Sequence, residues 1–205
     1  MSEYAFQDKN FFERFTGHLM TVCRHKKHVM YACFRMHLYA QGITHDLSKF
    51  SPAEFSAGVR YFDGHKSPNA VDRMVNGYSS AWLHHKGRNK HHIEYWLDFS
   101  GKEEDRIVCF KMPMRYVAEM VADRYAASKA YRGKDYLQSD PWDYHMKTRN
   151  RMIIDRDTRA VLDNALAIMR DNGNEAAFAF MRRLLAVTKG TDYTVESLGI
   201  TEIMP

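Results

Sequence analysis

The chain has 205 residues, the length of one globular domain, and 45% of them are hydrophobic and 13% aromatic, which excludes an intrinsically disordered protein. Lysine and arginine (30) exceed aspartate and glutamate (25), and the net charge of +5 favours anionic partners such as nucleotides, phosphate esters or nucleic acid. Three cysteines without a CxxC spacing exclude a disulfide framework, and the absence of a long apolar run predicts a cytoplasmic protein without membrane contact.

One long helix is predicted at the start of the chain. Residues 10–41 lack proline and carry apolar side chains at helical spacing, and Gly42 supplies a C-terminal stop. The next helix begins at SPAE, residues 51–54, where the proline suits the first helical position and the serine and glutamate can form a capping box. The intervening HDLSKF, residues 45–50, therefore lies in a tight corner where side chains from several elements can converge.

The rest of the chain continues the helical pattern. We expect helices at residues 70–86, from RNKHHIEYWL (residues 88–97), at 113–130, in SDPWDYHMKTRNRM (residues 139–152), from about Asp155 to Gly173, and after Gly173. The segment at 98–112 is expected to be turn-like and then strand-like. The predicted fold class is all-α, with a single helical domain at 1–188 and a peripheral tail at 189–205.

The His45–Asp46 pair is the first candidate for chemistry. An imidazole beside a carboxylate suits a divalent ion such as Mn, Fe, Co, Ni or Zn, provided that the backbone turns sharply between them. His25 upstream and Asp123 downstream can complete such a site, because a carboxylate at the edge of an apolar helix stripe needs a partner. The alternatives are a surface position for His25 and an ion pair between Asp123 and a neighbouring arginine.

A family resemblance supports the metal site. His25, His45–Asp46 and Asp123, with the string HDLSK, resemble the HD superfamily of metal-dependent phosphohydrolases, which implies an all-helical fold carrying these four ligands. Many members continue the pair as HD-x-G-K. Here a serine takes the glycine position and Lys49 keeps the lysine register, which implies contact with substrate phosphate. The strings HDLSKFSPAEF, AWLHHKGRNKHHIEYW and MPMRYVAEMVAD also resemble an uncharacterised family of small bacterial and phage proteins.

The segment HHKGRNKHH, residues 84–92, holds four of the eleven histidines. His85 and His92 continue apolar helical stripes, so both are expected to point inward, where the resemblance implies a second metal ion. The short separation between them leaves His84 and His91 as alternative ligands. The competing interpretation is a solvated cationic junction that faces nucleic acid.

These residues together predict a metal-dependent phosphohydrolase that acts on a nucleotide or related phosphoester, using one or two divalent transition metal ions and metal-activated water. Lys49, with Arg88 or Lys90, would stabilise charge on the phosphate oxygens. His84 or His91 would protonate the leaving oxygen. The alternatives are an HD-type di-iron oxygenase and a non-catalytic, nucleic-acid-binding helical protein with a structural metal.

Overall fold

The structure is a computed structural model, and it describes residues 9–101 and 106–203. Within these ranges the prediction of an all-α fold is confirmed, because ten α-helices accompany a single two-stranded sheet. The helices are α1 (Phe11–Arg35), α2 (Tyr39–Thr44), α3 (Pro52–Arg60), α4 (Pro68–Asn76), α5 (Ser80–Lys86), α6 (Met114–Arg132), α7 (Asp140–Arg149), α8 (Arg156–Asn172), α9 (Asn174–Val187) and α10 (Val195–Leu198). The strands β1 (Leu97–Phe99) and β2 (Ile107–Cys109) are antiparallel, with Asp98 opposite Val108.

Helix α6 lies at the centre of the hydrophobic core. It packs against α1, α8 and α9, and its side chains Val117, Val121 and Tyr125 are buried in the same cluster as Leu162 of α8 and Phe178 of α9. Burying a large apolar side chain contributes about 1.5–3 kcal/mol. Because three helices hold α6 in place, the polar residues on its remaining face are positioned by a rigid element.

The predicted first helix is too long. Helix α1 ends at Arg35, and the chain reverses at His37, which adopts a left-handed backbone with φ of 64°. Gly42 is not a helix stop but lies inside α2, where an added Cβ would come within 3.0 Å of the Cys33 Cβ. The glycine thus lets α2 pack closely on α1, and this fold-back carries His45 toward the middle of α1.

Helix α3 begins after Ser51, as predicted, but the capping box does not form. The Ser51 side chain makes no capping hydrogen bond, and Glu54 instead contacts His84 and His85 on α5. The capping prediction was wrong because a tertiary pairing with two imidazoles takes the glutamate away from the helix end.

The helix predicted over 70–86 is two helices. Gly77, with φ of 80°, ends α4, and the Ser79 side chain then accepts a hydrogen bond from the Trp82 amide to begin α5. The helix expected from RNKHHIEYWL is reduced to a short 3-10 turn, Ile93–Trp96. The described part of the chain holds no helix with the length and continuous apolar surface needed to cross a membrane.

The tail was expected to be peripheral, but its described part contributes to the core. Tyr193 and Val195 are both buried. The Tyr193 hydroxyl donates to the Met112 carbonyl at 2.7 Å, and the Val195 amide donates to Asp157 at 3.0 Å. Tyr193 and Val195 are only two buried side chains within a polar segment, which is too few to form a periodic apolar pattern in the sequence.

Candidate metal centre

The corner at His45–Asp46 has the sharp turn that the candidate site requires. Asp46 adopts a left-handed backbone, with φ of 54° and ψ of 28°, directly after His45, whose φ is −49° and ψ is 126°. This conformation costs a residue with a side chain about 1–2 kcal/mol. The Lys26 ammonium donates to the carbonyls of Ile43 and His45 at 2.7 and 2.9 Å, which holds the corner against α1.

The first group of potential ligands consists of His25, His45, Asp46 and Asp123. The His25 Nε2 lies 3.1 Å from the Asp123 Oδ1 and 3.8 Å from the Asp46 Oδ2. The His45 Nε2 lies 3.2 Å from that same Asp46 oxygen and 3.6 Å from the Asp123 Oδ1. Helices α1 and α6 and the corner thus bring together the four residues that the sequence nominated for one ion.

The second group consists of Asp46, His85, His91 and His92. Here the other carboxylate oxygen of Asp46, Oδ1, lies 3.4 Å from the His85 Nε2 and 3.5 Å from the His91 Nε2. Asp46 therefore presents one oxygen to each group. His91, which the sequence left open as a ligand or a proton donor, lies among the potential ligands together with both His85 and His92.

The chemistry of these atoms fits a cation. The Nε2 atoms of His25, His45, His91 and His92 and the Oδ1 of Asp46 are buried and lack a hydrogen-bond partner of good geometry among the described residues. Buried polar atoms without partners are costly and call for an explanation. A zinc-like ion holds nitrogen and oxygen ligands at about 2.0–2.2 Å, which sets neighbouring ligand atoms about 3–3.5 Å apart. The observed separations resemble this spacing.

Glu119 orients two of the histidines from behind. This buried carboxylate lies 2.9 Å from the His45 Nδ1 and 3.3 Å from the His91 Nδ1. Metal-binding histidines commonly donate their second ring N–H to a carboxylate, which fixes the tautomer and the ring orientation. Glu119, His45 and His91 also form a potential ligand group by themselves. The orienting role is favoured because the Nε2 atoms of both rings face Asp46.

Glu54 plays the equivalent part for the second group. Its two carboxylate oxygens lie 2.7 Å from the Nδ1 of His84 and 2.7 Å from the Nδ1 of His85. His85 thereby turns its Nε2 toward Asp46. His84 belongs to none of the potential ligand groups among the described residues. Glu54 binds its Nδ1, which leaves its Nε2 available for other interactions.

Charge at the site favours a bound cation. Burial and the nearby Lys49 lower the pKa of His25 to about 4, so this ring is neutral and its lone pair is available. Although burial favours the protonated acids, the neighbouring histidines, with Lys49 in the case of Asp46, hold the pKa values of the Asp46 and Asp123 carboxyls well below their usual range. Burial opposes the charged form of His45 as well, but Asp46, Asp123 and Glu119 outweigh it and raise the pKa of that ring, so a metal ion has to displace its proton.

The three candidate phosphate-binding cations differ in placement. The Lys49 Nζ lies 2.6 Å from the Asp46 Oδ2 at the edge of the centre, and its side chain is partly exposed. Arg88 is exposed and donates to the His84 carbonyl at 3.3 Å. Lys90 is exposed, with its Nζ over the rings of Tyr95 and Tyr116. The structure brings Lys49 to the potential ligands, whereas the observed contacts of Arg88 and Lys90 lie elsewhere.

Removing an orienting carboxylate should weaken metal binding without removing a ligand. We expect Glu119→Gln and Glu54→Gln each to lower metal affinity about 10- to 100-fold, because a neutral amide replaces the charged acceptor that fixes the imidazoles. Competition with a chromogenic chelator measures the change. The exposed Glu196 supplies the control, since its Gln variant should bind metal like the wild type. Equal affinity in all four proteins would contradict the orienting role.

The fold and the site define an all-helical protein with buried clusters of histidine and acidic residues that could hold a metal ion. Residues 14–168, more than half of the chain and including every potential ligand, match the model of a family described as "Family of unknown function (DUF5662)", and the chain belongs to this family. Comparison with curated proteins and with solved structures finds no match.

Proposed function

We propose that the protein is a metal-dependent phosphohydrolase of the HD type that acts on a nucleotide or a related phosphoester. The observation that carries the proposal is the position of Asp46, which presents one carboxylate oxygen to each of two groups of buried ligand atoms. The resemblance of HDLSK and its partner residues to the HD superfamily supports it, as does the mildly basic charge of the chain.

Two divalent ions are proposed, sharing Asp46. The first would be held by His25, His45, Asp46 and Asp123, and the second by Asp46, His85, His91 and His92. A set of imidazole and carboxylate donors suits Mn, Fe, Co, Ni or Zn. When bound, such ions supply Lewis-acid polarisation of a phosphoryl oxygen and acidify water near neutral pH.

The chain's own residues supply the remaining functions. The Lys49 ammonium, at the partly exposed edge of Asp46, is placed to bind phosphate oxygens as a point charge. His84 is partly exposed, and its Nδ1 is bound to Glu54, so its Nε2 can donate a proton to the leaving oxygen. We assign this role to His84 because His91 is buried among the potential ligands.

Lys49→Ala tests the catalytic proposal separately from metal binding. We expect kcat to fall about 100-fold, because a charge that stabilises the phosphate is lost, while the metal content is unchanged. The assay measures phosphate release from p-nitrophenyl phosphate and from a panel of nucleotides, with elemental analysis of each protein. Lys27→Ala, an exposed lysine on α1, is the matched control. Full activity in the Lys49 variant would contradict the assigned role.

The same proteins distinguish the two alternatives. Two bound irons with substrate-dependent oxygen consumption, and no phosphate release, would favour the di-iron oxygenase. Salt-sensitive binding to DNA or RNA that survives Lys49→Ala, without turnover, would favour the nucleic-acid-binding protein, because a distributed basic surface would carry that binding.

A further inference from the structure

We propose that Ser48 and Asn89 are positioning residues for the second group of potential ligands, and that the hydrogen bond between them raises the affinity of that group for its ion. This inference rests on the proposed function, which it extends by naming the residues that set one of the two metal affinities. Neither residue belongs to a potential ligand group. Ser48 stands where the resemblance to the HD superfamily implies a glycine, which has no hydroxyl.

A side-chain hydrogen bond joins the turn after Asp46 to the loop after His85. Ser48 lies in the 3-10 turn Leu47–Phe50, which directly follows Asp46. Its Oγ accepts from the Asn89 Nδ2 at 2.9 Å, although the two residues are 41 positions apart in the chain. Both side chains are partly buried. The bond therefore connects the shared carboxylate of the centre to the segment that carries the other three ligands of the second group.

The surroundings of Asn89 determine which nitrogen of the His85 ring carries the proton. The Asn89 Nδ2 lies 2.8 Å from the His85 carbonyl, and because a carbonyl can only accept, the amide nitrogen must be the atom at this position. The two amide hydrogens are thus used by that carbonyl and by the Ser48 hydroxyl. The His85 Nδ1, 2.7 Å from the Glu54 carboxylate, therefore carries its own hydrogen and donates it to Glu54. The lone pair is left on Nε2, which faces Asp46.

The backbone of Asn89 also connects the histidines of the second group. Its amide donates to the His85 carbonyl at 3.2 Å, and its carbonyl accepts from the His92 amide at 3.1 Å. His91 and His92 lie between α5 and the 3-10 turn Ile93–Trp96, so the path of this loop places them. A loop that is ordered before an ion binds loses less conformational entropy on binding.

These contacts favour an effect on the second ion alone. In the described part of the chain, the side-chain hydrogen bonds of Ser48 and Asn89 reach His85 and each other. The ligands that belong only to the first group lie on α1, at the corner and on α6, and are His25, His45 and Asp123. Loss of the Ser48–Asn89 hydrogen bond should therefore weaken the second ion and spare the first, whereas a general loosening of the fold would weaken both.

Cobalt affinity in proteins that hold a single ion tests this selectivity. Asp123→Ala is expected to keep only the second ion and His92→Ala only the first, and competition with a chromogenic chelator measures the affinity of each. In the Asp123→Ala protein, we expect Ser48→Ala to weaken cobalt binding about tenfold and Asn89→Ala about 10- to 100-fold. In the His92→Ala protein, neither substitution should change it. Once Asn89→Ala is present, Ser48→Ala should have a smaller further effect, because their shared hydrogen bond is already lost.

Matched variants control for altered packing. Ser48→Thr keeps the hydroxyl and should retain most of the affinity that Ser48→Ala loses. Asn164→Ala on α8 removes an amide that likewise donates to two oxygens, the carbonyls of Ala160 and Thr201, and should bind cobalt like its parent. The same is expected of Ser56→Ala, which removes an exposed hydroxyl from α3. Circular dichroism spectra confirm that each variant is folded.

The outcomes separate this inference from the proposed function, which phosphate release by the wild type tests independently. If the Asp123→Ala protein binds cobalt and the Ser48 and Asn89 variants bind it as tightly, the positioning role is overturned. Equal weakening in the Asp123→Ala and His92→Ala proteins overturns it as well. If the Asp123→Ala protein binds no cobalt, the chain has no second site for these residues to position, and the inference is again overturned. If the wild type binds no cobalt and releases no phosphate, both proposals are overturned.

Discussion

Asp46→Ala is expected to abolish the binding of both metal ions and, with it, phosphohydrolase activity. One oxygen of this carboxylate lies 3.2 Å from the His45 Nε2 in the first group, and the other lies 3.4 Å from the His85 Nε2 in the second. Loss of the side chain therefore removes a ligand from each group at once and leaves the histidines of both groups without their shared carboxylate. Elemental analysis of protein purified without a histidine tag measures the result directly.

The stoichiometry of single variants sharpens this expectation. We expect two ions in the wild type, one in Asp123→Ala, one in His92→Ala and none in Asp46→Ala, because only Asp46 is common to both groups. Asp46→Gly controls for the left-handed backbone, which glycine adopts without strain. It should lose both ions as well. A single ion in the wild type, retained in Asp46→Ala, would rule out the shared carboxylate.

The potential ligands were predictable from the sequence to different degrees. His45 and Asp46 could be recognised because they are neighbours in the sequence. Asp123 could be recognised because it lies at the edge of an apolar helix stripe, where a carboxylate without a partner is costly. His91 was harder to place, because a 3-10 turn replaced the expected helix and changed which histidines face inward. Its burial beside His85 depends on the path of a loop, which no helical periodicity specifies.

The orienting glutamates could not be recognised in this way. Glu54 occupies a position that local rules assign to a capping box, yet its partners are two imidazoles about 30 residues away in the chain. Glu119 lies one helical turn before Asp123, which is a hint that more than one acidic residue faces the interior. Its two histidine partners, however, come from separate loops. Long-range pairings of this kind are set by packing, and local propensity does not specify them.

The same limit applies to the fold. The helices α6 and α8 were predicted within a few residues, because each buries a continuous stripe between a clear start and a glycine end. The break after α1 was missed because His37 makes the turn in a left-handed conformation, which glycine or asparagine would more often signal. The pairing of His145 with Asp163, in which the histidine is completely buried, also joins two separate helices and is not specified by any local pattern.

Asp163→Asn is expected to destabilise the protein by about 3–5 kcal/mol, because it leaves a buried arginine without its counter-charge. The Asp163 carboxylate is 1% exposed. It accepts hydrogen bonds from the Arg149 Nε and Nη2 at 2.9 and 2.8 Å and lies 2.6 Å from the His145 Nε2. The same Arg149 Nη2 donates to the Ile203 carbonyl, so this pair also anchors the tail.

Urea unfolding of the metal-free protein measures this loss. Asp171→Asn, which affects an exposed ion pair with Arg170, is the matched control and should change the free energy of unfolding little. The double variant Asp163→Asn, Arg149→Met should recover part of the lost stability, because the unpaired charge is removed with its partner. A single Asp163 variant as stable as the control would show that the buried pair contributes no stability.

The pH dependence provides a second signature of this pair. Burial alone would raise the pKa of the Asp163 carboxyl, but the hydrogen bonds from His145 and Arg149 outweigh it and lower the pKa. The resulting stability is present above the unfolded value of about 3.9 and is lost as the pH falls through the lower folded value. The asparagine variant lacks this titration. Its deficit relative to the wild type should therefore be constant near neutral pH and shrink below about pH 4, whereas a deficit caused by altered packing alone would not follow the protonation of a carboxylate.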